Sequence, residues 1–102
     1  MASSDYTQLQ DLFLKWLPTW EPSVERGSLV LYNPKGGFVV FYVNQRTWGL
    51  WSTEAEGWPQ WSYHKIPYKG RGWRERMVAD AFAAITVASA AEALAAIAAA
   101  TL

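Results

Sequence analysis

Six apolar residues run without interruption from Phe38 to Val43, between two stretches of turn chemistry. Asn33-Pro34-Lys35-Gly36-Gly37 precedes them and Asn44-Gln45-Arg46-Thr47 follows. Proline fixes one φ and glycine permits positive φ, so both stretches reverse the chain. An apolar run bounded this way predicts a central strand covered on both faces. Its neighbours are of the same kind. Ser28-Leu29-Val30-Leu31-Tyr32 is rich in strand formers, and Trp48-Gly49-Leu50-Trp51-Ser52 follows the second turn. Two consecutive hairpins make an antiparallel meander. Beyond a polar loop over 53–60, residues 61–66 predict a fourth strand at the edge. Trp61, Tyr63 and Lys65 fall on one face, and Ser62, His64 and Ile66 on the other.

Helices flank this sheet. Over 4–17, Tyr6, Leu9, Phe13, Trp16 and Leu17 recur at helical spacing, with Ser4 or Asp5 as cap and Pro18 as terminator. Trp20 falls past the helix, in an irregular connection over 18–27. From Trp73 onward, Met77, Val78, Ala81, Phe82 and Ile85 form one stripe. Ser89-Ala90-Ala91-Glu92 fits a capping box. It predicts a break near 87–89 and a second Ala-rich helix over 90–101; one continuous helix over 73–101 is the alternative.

The fold class is therefore α+β, a single small domain over residues 1–102. An N-terminal helix, strands at 28–33, 37–43, 47–52 and 61–66, and one or two C-terminal helices packed on the sheet make it up. A length of 102 residues is of one-domain size. The N-terminal helix completes the core against the same face or the sheet edge. The unbroken strand asks for cover on its other face too, from that helix or from a second copy in a homodimer.

Composition narrows the chemistry. With no Cys, disulfides, thiol catalysis and Cys-ligated metals are excluded. His64 is the lone imidazole, and Ser62 beside it would share its strand face without the third group a triad needs. Glu54 and Glu56 lie on one short loop, unlike the acids of a glycosidase, which are held rigidly across a cleft. Lys69-Gly70-Arg71-Gly72 before a helix can meet an anion but lacks the phosphate-loop pattern. The expectation is that the chain is not an enzyme and needs no metal or cofactor. The first residues carry no basic region of an export signal, and the Ala-rich end is broken by Asp80 and Glu92. A cytoplasmic, non-membrane protein is expected.

Charge is balanced overall, nine Lys and Arg against nine Asp and Glu, but not locally. Residues 64–76 hold Lys65, Lys69, Arg71, Arg74 and Arg76 against Glu75 alone. Residues 1–25 hold four acids against Lys15. The seven tryptophans are too many for so small a core. Trp16 and Trp48 are expected inside it. Trp58, Trp61, Tyr63, Tyr68, Lys69, Arg71, Trp73, Arg74 and Arg76 form the candidate partner-binding surface, because exposed Trp and Arg dominate binding hot spots. The leading expectation is a protein-interaction module: an adaptor, an assembly factor, or a small inhibitor of the phage or mobile-element type. A nucleic-acid-binding module using the basic and aromatic residues of 61–76 is the alternative. A small-ligand pocket lined by Trp48, Trp51, Trp58 and Trp61 is a further one.

Overall fold

In the computed structural model, residues 4–34, 36–51 and 61–85 are described, with the backbone alone over 61–63. Ser4 starts the first helix. Its backbone is extended and its side chain accepts the Thr7 N–H, satisfying a donor that every helix start leaves orphaned. Helix α1 then runs Asp5–Trp16. Leu17, ahead of Pro18, has left the helical region at φ −130° and ψ 72°.

The sheet has five strands in consecutive antiparallel order: β1 Glu21–Glu25, β2 Ser28–Tyr32, β3 Phe38–Tyr42, β4 Thr47–Trp51 and β5 Trp61–His64. The four expected strands are present, and β1 is an addition. Pro22 argues against a strand inside a sheet, but β1 lies at the edge, where a missing N–H need not break a ladder. Its hairpin turn is Arg26-Gly27, with φ of 51° and 78°. Both are left-handed, as a two-residue hairpin demands. Arginine in the first of these positions is no sequence signal for such a turn. Gly27→Ala should lower stability by roughly 1 kcal/mol through the positive φ, as read by urea denaturation. The Tyr6 hydroxyl donates to the Gly27 carbonyl at 2.8 Å and ties this turn to α1.

Residues alternate between the two faces of the sheet. Leu29, Leu31, Val39, Phe41 and Trp48 stand on one face, and both helices cover it. Leu9 and Phe13 of α1 share that core with Trp73, Met77, Val78 and Ala81 of the helix over 73–85, α2. The N-terminal helix thus joins the same face rather than covering the other. The expected break near 87–89 and the helix over 90–101 lie outside the described residues.

The second face carries Val30 and Val40, both buried, and a cross-strand aromatic row. Tyr32 and Phe38 are 5.8 Å apart, and Phe38 stacks on Trp51 at 6.5 Å. Trp61 is next in register. The Tyr32 hydroxyl donates to Glu25 Oε2 at 2.5 Å. That bond holds the Glu25 carboxyl below its ordinary value and the Tyr32 phenol above its own.

Trp16 does not enter the core; it is 62% exposed. The turn after Pro18 folds Trp20 back onto Phe13, edge-on at 5.3 Å, and Trp20 takes the buried position at this end of α1. Trp16 is left on the flank against Phe82, 5.7 Å away.

Candidate interaction surface

The basic and aromatic segment begins where β5 ends, at His64, so Lys65 and Ile66 belong to a loop and not to a strand. The His64 ring stacks on Trp48 at 5.9 Å and tilts against Tyr68 at 4.6 Å. Tyr68 turns inward. Its hydroxyl donates to Asp80 Oδ2 at 2.6 Å and accepts the Trp48 indole N–H at 3.0 Å. Its backbone N–H donates to the Arg46 carbonyl at 3.0 Å. The chain is thus pinned to the β3–β4 turn and to α2 at one residue.

Burial, and then the bond to Asp80, push the Tyr68 phenol up to about 12. An unfolded tyrosine titrates near pH 10. Below pH 10 both states keep the proton. Between about 10 and 12 the unfolded chain releases it while the native one holds it, so stability falls as pH rises through that window. Absorbance at 295 nm should show, besides the raised Tyr32, a late tyrosine phase that titrates together with unfolding. Tyr68→Phe should remove that late phase.

Past Tyr68 the loop turns into α2 through Gly70 and Gly72, at φ of 81° and 77°. Arg76 closes it. Its guanidinium donates to the Arg71 carbonyl at 2.5 Å and also to the Lys69 carbonyl. The planar fork of arginine suits two carbonyls at once, which a lysine ammonium matches poorly. Trp73 is buried to 4% exposure, with the Arg46 and Arg74 guanidinium carbons 4.4 and 4.6 Å from its ring centroid. Arg74 also pairs with Asp5, through Nε at 2.8 Å and Nη2. The acidic N-terminal helix therefore takes up one charge of the basic segment.

These contacts correct the expected surface. Tyr68 and Trp73 are core residues and present no ring to a partner. The guanidinium groups of Arg74 and Arg76 are engaged within the molecule. Lys69 and Arg71 do point outward, and both are exposed. Trp61 and Tyr63 sit on β5, in register with Trp51 and Gly49, while their side chains and the whole of Trp58 lie outside the described residues. So do Glu54 and Glu56. Two exposed residues were missed: Lys65 and Ile66, the latter 73% exposed. The alternation through 61–66 had absorbed them into the strand. Pro67 was the available signal, since the residue before a proline often marks the end of an element.

Of the four tryptophans of the alternative ligand pocket, Trp48 and Trp51 do not face one another, while Trp58 and the Trp61 side chain lie outside the described residues. Trp48 is buried on the helix-covered face with its indole N–H committed to Tyr68, and Trp51 stands on the opposite face. Among the described residues, no group of three His, Cys, Asp or Glu side chains could hold a metal ion. No helix among them is long and apolar enough to cross a membrane.

What the segment presents is a stapled loop. Lys65, Ile66, Lys69 and Arg71 project from backbone held by Tyr68, Arg76 and the start of α2. Comparison with protein-family models, with curated proteins and with solved structures gives no match.

Proposed function

We propose that this protein is a non-enzymatic interaction module whose loop over residues 65–71 docks on an acidic surface of a partner protein. The observation that carries this reading is the stapled loop itself. Three exposed cations and one exposed isoleucine share a loop whose backbone is fixed by the buried Tyr68 and by the Arg76 guanidinium. A loop already ordered in the free protein avoids much of the ordering cost of binding. The cations steer encounter with an acidic patch and set its register, and Ile66 supplies the apolar contact. An adaptor, an assembly factor or a small inhibitor would each work this way. A chain without cysteine suits the reducing cytoplasm, where such a module would act.

A protein partner is favoured over nucleic acid on two grounds. Tyr68 and Trp73, the tyrosine and tryptophan of this segment whose side chains are described, are buried and unavailable for base stacking. The chain also has no net charge to attract a polyanion.

The test is affinity capture from native lysate after nuclease treatment, with wild type beside the double variant Lys69→Glu/Arg71→Glu. The expected result is a protein that survives nuclease and is lost with the variant. Capture that is indifferent to both substitutions, or that yields only nucleic acid without nuclease, would overturn the reading.

A further inference from the structure

The outer side of the helix pair has no part in the loop. Asp5 at the start of α1 pairs with Arg74 at the start of α2, while Trp16 at the end of α1 meets Phe82 further along α2. The two helices therefore lie side by side and run in the same direction. Between them is a groove of about 410 Å³, lined by Leu12 and Trp16 from α1 and by Val78, Ala79 and Phe82 from α2. These positions recur at steps of three and four, so each helix contributes one stripe. Lys15 and Glu75 stand at the rim, both exposed, and neither makes an ion pair among the described residues.

We propose that this groove is the interface for a second copy of the chain, stacked across it with the helices antiparallel. Charge placement picks out that occupant. Lys15 adjoins Trp16 and so lies at the level of Phe82. Glu75 lies seven residues earlier on α2, about 10 Å away along the axis. Turning the second copy end over end brings each Lys15 to the level of the other copy's Glu75. A copy stacked parallel would set Lys15 beside Phe82 and leave both charges unmatched. The antiparallel interface is self-complementary, so every pairing in it occurs twice. It also covers Trp16, an exposed tryptophan beside an apolar groove, which is the usual centre of a binding patch.

Sedimentation equilibrium of the full chain, from about 1 μM to about 1 mM, decides the matter. The expected result is a monomer–dimer equilibrium within that range. Lys15→Glu and Glu75→Lys should each weaken it by about tenfold. The double swap Lys15→Glu/Glu75→Lys should return it to within about threefold of wild type. Trp16→Ala should weaken it on the order of 100-fold, with far-UV circular dichroism confirming that each variant is folded. A wild type that stays monomeric throughout would overturn the proposal. So would a dimer that responds to neither charge reversal nor to Trp16→Ala.

Discussion

Phe41→Ala is expected to destabilise the protein by about 3–5 kcal/mol, the range for deleting a buried phenylalanine ring. Phe41 is fully buried at the centre of β3. It is the pivot between sheet and helices: across the strands it faces Leu29 and Trp48, and above it Phe13 of α1 meets it edge-on at 6.0 Å. Because sheet neighbours border the site on both sides, it has little freedom to collapse around the void, which favours the upper part of that range. Urea denaturation of wild type and variant measures the difference. A loss below about 1 kcal/mol would mean that Phe41 is not at the centre of the core.

Trp73→Ala should cost about as much, roughly 3–5 kcal/mol. Trp73 begins α2 and joins the core with Met77 and Ala81, at 4% exposure. Its removal also takes the aromatic face away from Arg46 and Arg74, whose cation–π contacts are each worth about 0.5–2 kcal/mol. Had Trp73 been part of a partner-binding surface, the same substitution would reduce binding and leave the denaturation midpoint nearly unchanged. Thermal and urea unfolding of this variant therefore separate a structural tryptophan from an interfacial one. By contrast, Lys69→Glu/Arg71→Glu should stay within about 0.5 kcal/mol of wild type, because both residues are exposed and neither side chain makes an ion pair among the described residues.

Much of the architecture was legible because the local signals agreed with one another. Ser4, Pro18 and the spacing of Leu9 and Phe13 marked α1. Turn residues on both sides of 38–43 marked the meander, and the stripe from Met77 to Ile85 marked α2. What was not legible depended on long-range choices. β1 needed a sheet edge to tolerate Pro22, and its turn used an arginine at positive φ. Trp16 and Trp20 share the helical spacing of the core residues, and only the turn after Pro18 decides which of them is buried.

The candidate site shows the same limit more sharply. The cluster of Tyr68, Trp73, Arg74 and Arg76 was visible as composition, but composition does not say which way a side chain points. Asp5 takes Arg74 from 69 residues away along the chain, and Asp80 takes Tyr68. The carbonyls of Lys69 and Arg71 take Arg76. Asp80 and Asp5 satisfy groups that burial or partial burial takes from water, whereas Arg76 closes the loop at the surface. The residues that looked most like hot spots hold the loop in place. The plainer ones, Lys65, Ile66, Lys69 and Arg71, are what it displays.

The most direct test of a preformed docking loop needs no partner. Backbone ¹⁵N relaxation of the free protein gives order parameters for residues 65–72, Pro67 excepted. The stapled loop predicts values near 0.85, the level of rigid backbone, through Tyr68, Lys69 and Arg71. Values below about 0.6 across the loop would contradict it, because a loop that is mobile in the free protein has no prearranged surface to offer.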